Sequence, residues 1–498
     1  MTDAVTARDP GHGRRWRVFA VLAIAQLMIV LDATIVNIAL PSAQQALHFS
    51  DADRQWVVTA YALAFGSLLL LGGRIGDLFG PKRVFITGAI GFGLASGLGG
   101  AAQSFAVLVA ARGLQGAFAA LMAPAALSLV TTTFTDPAER GTAFGIWGGI
   151  AGGAGAIGLL LGGVLTQSLS WRATLVINVA FAIPAAIGGM ALLRRDVRAR
   201  GSRIDVAGTL TATGGLFALV YGFANAETHG WGASTTIAFL AAGILLLVAF
   251  VATQLRAAHP LLPLRVVLNR NRGGSFLTLG LLGLGVFSVF LFLTYYLQQI
   301  KGYSPITSGL AYLPLTLVLV VVAGVANTRL LPRTGPRPLM AAGMALSAIS
   351  FALFATLGVH SSYGTGVLPG LLIAGAGLGL VFAPATDIAI RGVSAADAGV
   401  ASALVNATNQ VGGSLGIALL STLSATAANH YLAARQPNPD VIADAAVHGY
   451  ATAYWWAAAI FTAGAFIAGL LLRRPTESEA VGEGEAVGEG ELVPAGAF

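Results

Sequence analysis

The residue with the most chemistry to explain is a single carboxylate. Asp32 lies within Leu31-Asp-Ala-Thr-Ile-Val-Asn-Ile-Ala-Leu-Pro41, near the end of the first long apolar run. A charge at the centre of a membrane helix costs about 2.5–3.5 kcal/mol on insertion scales, so such an acid has a partner, a task or a short route to water. A second charge stands in Leu108-Val-Ala-Ala-Arg112-Gly-Leu-Gln115-Gly116. Arginine stays protonated, so Arg112 needs acceptors or water at membrane depth. Arg112, Gln115 and Ala119 share one helix face at i, i+3 and i+7. At a rise of about 1.5 Å per residue, Asp32 lies about 22 Å inward from Arg17 and Arg112 about 12 Å from the far end near Gln103. In a core about 30 Å thick both fall in the outer half at similar depth, which predicts that they pair, directly or through water. Burial favours a neutral carboxyl and a nearby cation favours the carboxylate, so a conformational change that alters either could load and release a proton. A purely structural salt bridge is the alternative. Asn37, five residues on, faces about 140° away from Asp32 and is a candidate for a cavity wall instead.

A second group of polar residues is Gly73-Arg-Ile-Gly-Asp77-Leu-Phe-Gly80-Pro-Lys82-Arg83. Gly80 and Pro81 force a tight turn. Asp77 ends one helix, and Lys82 and Arg83 open the next, within ion-pairing reach. Gly73, Asp77, Gly80, Lys82 and Arg83 are therefore candidates for a gate that holds one conformation and releases another; holding the loop on the basic side of a membrane is the plainer role. Gly145, Gly149 and Gly153, then Gly158, Gly162 and Gly163, form a small-residue ridge for close helix packing and sliding. Gly412, Gly413 and Gly416 form a weaker counterpart beside Asn406, Asn409 and Gln410, amides that either line a cavity or bond between helices. Tyr61, Gln115, Phe118, Trp147 and Tyr295, with Tyr296 and Phe382, are further candidates for cavity walls. Asp387, four residues before Arg391, reads as an interface acid.

The elements that position these residues follow from composition. The chain has 498 residues, 56% hydrophobic and 10% charged, with a mean hydropathy of +0.78. Those values exclude a water-soluble globular chain and predict an all-α polytopic membrane protein. With no cysteine, disulfide and thiol chemistry are excluded. Apolar runs long enough to span occur at roughly 18–40, 56–73, 83–102, 105–130, 143–164, 173–193, 206–225, 234–255, 274–298, 307–328, 338–358, 364–388, 399–425 and 451–472. The first run is too long for a signal-peptide core and should remain as a span. If the N-terminus is cytoplasmic, 23 of the 28 lysines and arginines fall inside, which satisfies the positive-inside rule and puts both termini in the cytoplasm. The basic residues lie in short clusters between spans, an arrangement that explains the net charge of +7 by topology rather than by nucleic acid.

The chain also repeats. Gly80-Pro-Lys-Arg83 is echoed by Gly335-Pro-Arg-Pro338, and Ala123-Pro-Ala125 by Ala383-Pro-Ala385, at nearly equal offsets. Two pseudo-symmetric six-helix bundles plus two inserted helices are the expectation, the pattern of secondary transporters that bind substrate near the midplane. The divisions are a tail at 1–17, a first bundle at 18–193, a connector with the inserted helices at 194–273, a second bundle at 274–472 and an acidic tail at 473–498. The tail repeats Glu-Ala-Val-Gly-Glu-Gly and is expected to be disordered. All seven histidines fall in tails or loops on this reading, which leaves no buried base or metal cluster. No G-x-x-x-x-G-K-[ST] occurs, so neither an enzyme nor an ATP-driven pump is expected, and no cofactor.

Taken together these stretches resemble the fourteen-helix drug:proton antiporter family of the major facilitator superfamily, over nearly the whole chain outside the tails. Leu31–Pro41 is similar to the family's first-helix signature, Gly73–Arg83 to its loop motif, and Leu108–Gly116 to its R-x-x-Q-G motif. Ser170-Trp-Arg, Ile177-Asn178 and Gly302-Tyr-Ser-Pro305 are similar to further family stretches. The helix-five motif G-x-x-x-G-P-x-x-G-G is matched only in part, with Leu159 in place of the proline. The resemblance implies that Asp32 and Arg112 take part in proton coupling and that Asp77, Lys82 and Arg83 gate the cytoplasmic face. The expected function is export of amphipathic small molecules such as drugs or antibiotics from the plasma membrane in exchange for protons, by a monomer. A dedicated exporter of one natural product, amino acid or siderophore is the nearest alternative, and a non-transporting sensor or scaffold a more distant one.

Overall fold

A bilayer offers the backbone no water, so each apolar run must satisfy its own N–H and C=O groups, and a helix does this within one segment. The computed structural model describes residues 12–50, 53–134, 136–193, 205–257, 260–391, 393, 398–433, 435–436 and 438–471. The acidic tail, most of the N-terminal tail and the basic cluster at 194–203 lie outside the described residues. Fourteen long helices follow in order: α1 (His12–Leu47), α2 (Arg54–Phe79), α3 (Pro81–Gly100), α4 (Phe105–Thr133), α5 (Pro137–Ser168), α6 (Ala173–Leu192), α7 (Val206–His229) and α8 (Ser234–Arg256). Then come α9 (Arg270–Ile300), α10 (Pro305–Thr334), α11 (Pro336–Ala355), α12 (Tyr363–Ile390), α13 (Ala398–Ala433) and α14 (Pro439–Leu471). Thirteen are long and apolar enough to cross a membrane, and the remaining helix, α5, contributes the apolar stretch Ile157–Ser168.

The helices outrun the apolar runs at several ends. α1 starts at His12 and continues through Pro41 to Leu47, and α14 begins at Pro439, twelve residues before its apolar run. Hydrophobicity marks the slab that must be solvated by lipid, whereas a helix can continue into the polar region beyond it. For the same reason the histidine expectation is corrected: His12, His229, His430 and His448 lie in helices, with His229, His430 and His448 exposed.

The two halves repeat in geometry as well as in sequence. Gly80 and Gly335 both adopt positive φ, 92° and 76°, and each is followed by a proline that opens the next helix. A β-carbon on Gly162 of α5 would lie 2.8 Å from the Ile35 carbonyl oxygen of α1, and one on Gly412 of α13 would overlap the Gly280 backbone of α9. Gly88 packs α3 on Met122 of α4, and Gly343 packs α11 on Gly377 of α12. Helices α1–α6 and α9–α14 thus form matching bundles whose small residues permit close approach. They meet where α2 packs on α13 and α5 on α10, pairs that exchange under the repeat. The inserted α7 and α8 pack on each other, and α7 covers the α2–α13 seam. Leu63, Val220 and Ala418 form a small core there, and Thr422 Oγ1 donates to the Phe223 carbonyl at 2.8 Å.

The basal end of the bundle is taken as the one carrying the Gly80 turn, and the distal end as its opposite. Gly80 combines φ 92° with ψ 137°, a conformation that costs a residue with a β-carbon roughly 1–3 kcal/mol. Gly80→Ala is therefore expected to lower the thermal midpoint in detergent. Gly76→Ala, a helical position where a β-carbon meets nothing within 4 Å, is expected to leave the midpoint unchanged or raise it slightly.

Candidate functional site

Asp32 reaches the interior because α1 packs against α4, α5 and α6 at once. Glycines allow it: Gly158 and Gly162 of α5 seat directly on Thr34 and Ile35. The carboxylate is fully buried and accepts three hydrogen bonds from two other helices. Arg112 Nη1 donates to Oδ2 at 2.6 Å, while Gln115 Nε2 and Asn178 Nδ2 donate to Oδ1 at 3.0 and 2.7 Å. Gln115 Nε2 also donates to Ser96 Oγ of α3 at 2.7 Å, and its Oε1 accepts from Arg112 Nη1 at 3.0 Å. Asp32, Gln115, Asn178 and Ser96 are 0% exposed and Arg112 1%. Every described partner of the carboxylate is a donor, while Asn178 Oδ1 is a buried acceptor without a hydrogen-bond partner among the described residues.

Arg112 is held from α2 as well. Its Nε donates to the Val57 carbonyl at 3.0 Å, and its guanidinium carbon lies 4.5 Å from the centroid of the Tyr61 ring. Gly116 makes this possible, since a β-carbon there would overlap the Tyr61 carbonyl. α2 and α4 are also in backbone contact at Gly72 and Ala120. Arg112 therefore belongs to a unit of α2 and α4, and Asp32 to a unit of α1, α5 and α6.

The other candidates scatter. Asn37 is 4% exposed, and its Nδ2 donates back to the Ala33 carbonyl at 3.0 Å. Tyr61 is buried beneath Arg112, and its hydroxyl has no hydrogen-bond partner among the described residues. Gln115 joins the carboxylate network rather than a cavity wall. Phe118 packs on Gly91 of α3. The half-buried Trp147 lies 6.4 Å from the Phe19 ring. Tyr295 is 0% exposed and carries the Arg54 guanidinium 4.3 Å above its ring. Asn406 is exposed, whereas Asn409 Nδ2 donates to the Leu279 carbonyl of α9 at 3.3 Å.

At the basal turn, the cations of α3 are arranged differently from expectation. Asp77 pairs along its own helix with Arg74 at 3.9 Å, an exposed pair worth at most about 1 kcal/mol. Lys82 Nζ instead donates to the Met190 and Leu193 carbonyls at 3.0 and 2.6 Å, capping the end of α6. Arg74 Nη2 also donates to the Pro260 carbonyl in the connector at 3.1 Å. Gly73 faces Pro124 of α4 at ordinary contact distance.

Two members of the network carried little signal in the sequence. Asn178 is an amide in an apolar run, noticed only as part of a family-like stretch. Ser96 is indistinguishable by type from the small residues that pack α3. Removing one partner of a buried ion pair costs about 3–5 kcal/mol. Asp32→Ala is thus expected to lower the detergent thermal midpoint far more than Asp32→Asn, and adding Arg112→Met to Asp32→Ala should restore part of the loss.

Residues 22–417 match the model of the Major Facilitator Superfamily. The chain is 49% identical to a puromycin resistance protein of Streptomyces alboniger, over 93% of each chain. It is 40% identical to a cephamycin export protein of Amycolatopsis lactamdurans, over 80% of this chain and 83% of that one. Its fold is similar to that of an auto-inhibited POT family peptide transporter, with a TM-score of 0.68 at 17% identity, covering 93% of this chain and 97% of the other. By family model, by relatives and by architecture, this chain belongs to the major facilitator superfamily of membrane transporters.

Proposed function

We propose that the chain is a proton-coupled exporter of amphipathic small molecules, antibiotics among them, working by alternating access between its two bundles. The observation that carries this reading is the fully buried Asp32 carboxylate, which accepts from donors of α4 and α6. The distribution of lysine and arginine supports a cytoplasmic basal end and a plasma-membrane location. One copy contains the whole network, so a monomer suffices.

Coupling follows from the two helix units. Slip of the α2–α4 unit past α1 draws the Arg112 guanidinium off Asp32, because Val57 and Tyr61 hold it to α2. A buried carboxylate without its cation is costly, and taking up a proton removes that cost. Return of Arg112 favours the carboxylate again and expels the proton. If the two events occur with the path open to opposite sides, proton entry drives export. Lys82 and Arg74 tie the basal turn to α6 and to the connector, so Gly73, Asp77, Gly80, Lys82 and Arg83 are well placed to gate the cytoplasmic side.

A second reading has its own support: the puromycin and cephamycin relatives are each named for one antibiotic, which favours a dedicated exporter of one compound. Everted vesicles energised by a proton gradient separate the two. Uptake of puromycin, a cephamycin and unrelated amphipathic dyes is expected in the wild type and is expected to vanish when the gradient is collapsed or in Asp32→Asn. Uptake of one compound alone would select the dedicated exporter; uptake that ignores both the gradient and Asp32 would reject proton coupling.

A further inference from the structure

Several contacts between the bundles lie at the distal end. Gln298 Nε2 of α9 donates to the Ile38 carbonyl of α1 at 3.0 Å, and the Ile306 amide of α10 donates to Gln167 Oε1 of α5 at 3.4 Å. Gly163 brings α5 so close to α10 that a β-carbon would lie 2.7 Å from the Pro305 carbonyl oxygen. Among these contacts Arg54, the first residue of α2, is a charge that crosses from one bundle to the other. Its guanidinium carbon lies 4.3 Å from the Tyr295 ring of α9 and 5.6 Å from the Tyr450 ring of α14. Arg54 is 7% exposed, Tyr295 0% and Tyr450 4%. A cation seated on aromatic faces out of water is held far more firmly than the same pair in solvent.

The position of Arg54 adds a connection. It stands three residues, less than one helical turn, before Val57, whose carbonyl accepts the Arg112 Nε hydrogen bond. The first turn of α2 therefore holds Arg54 between the second bundle's tyrosines and, three residues later, steadies the cation paired with Asp32. We propose that Arg54, seated on Tyr295 and Tyr450, is the distal gate, and that the first turn of α2 links its opening to separation of the Asp32–Arg112 pair. The link rests on the proton-coupling reading above; the gate does not. Leaving the tyrosines requires the start of α2 to move away from α9 and α14, and that movement carries Val57 and Arg112 with it. Arg54 acts on the proton site as a positioning residue, through Val57 and Arg112.

The cysteine-free chain provides the test. A single Ile38→Cys reporter, 0% exposed at the distal closure, is labelled in right-side-out vesicles by a membrane-impermeant maleimide. Arg54→Gln is expected to raise the labelling rate about ten-fold, with Arg54→Lys in between because a lysine keeps part of the cation–ring attraction. Asp32→Asn, which removes the charge that holds Arg112, is expected to raise it as well. Thermal midpoints of the purified variants are measured alongside, and accelerated labelling at an unchanged midpoint supports gate opening rather than unfolding. Unchanged labelling in Arg54→Gln overturns the gate. Accelerated labelling in Arg54→Gln with none in Asp32→Asn overturns the link and leaves the gate standing. Labelling needs no substrate, so it is read independently of whether the chain exports by proton exchange.

Discussion

A carboxylate held out of water is the constraint to which the first bundle is built. Asp32 is tolerable at its depth only because Arg112, Gln115 and Asn178 converge on it and Ser96 steadies Gln115. Those groups come from α3, α4 and α6, so four helices must be held in register around one side chain. The packing devices follow from that demand. Gly158 and Gly162 let α5 press α1 inward, and Gly116 lets α4 reach the α2 backbone, where the Val57 carbonyl accepts from Arg112 Nε.

The second bundle repeats the frame without repeating the charge. Gly335 reproduces the turn of Gly80, and Gly412 sets α13 on α9 as Gly162 sets α5 on α1. In the second bundle, Asn409 bonds across to α9, and Tyr295 and Tyr450 receive Arg54. The division of labour is asymmetric. One half holds the buried carboxylate, the other receives Arg54 at the distal end, and α2 touches both. The inserted α7 lies along the α2–α13 seam and bonds to α13 through Thr422, so the seam is buttressed on that side.

Much of this was legible in the sequence because it concerns solvation. A lone acid and a lone arginine in apolar runs must be explained, and helix rise alone put them at one depth, where the structure pairs them at 2.6 Å. The Gly-Pro echo announced the repeat because a positive-φ turn leaves little choice of residue. Directions of side chains were less legible. Phe118, Tyr295 and Asn37 share their types with cavity-lining residues, yet they pack on a glycine, sit beneath an arginine, and bond to their own helix. Helical spacing says which residues share a face but not which neighbour that face meets. Lys82 illustrates the same limit: its charge suggested a partner in Asp77, while the open carbonyls at the end of α6 compete for it at shorter range. Ser96 carried no signal, because a serine that orients a glutamine and one that packs a helix are the same letter.

The central claim is that Asp32 exchanges a proton as substrate binds and leaves. The direct measurement is the number of protons displaced when a transported antibiotic binds the purified protein in weakly buffered detergent solution, near the pH where binding and protonation compete. The account expects about one proton released per molecule bound by the wild type and none by Asp32→Asn, since linkage requires the released proton to come from the group whose ionisation differs between the two states. Equal release by both proteins would contradict it and assign the exchange to another residue.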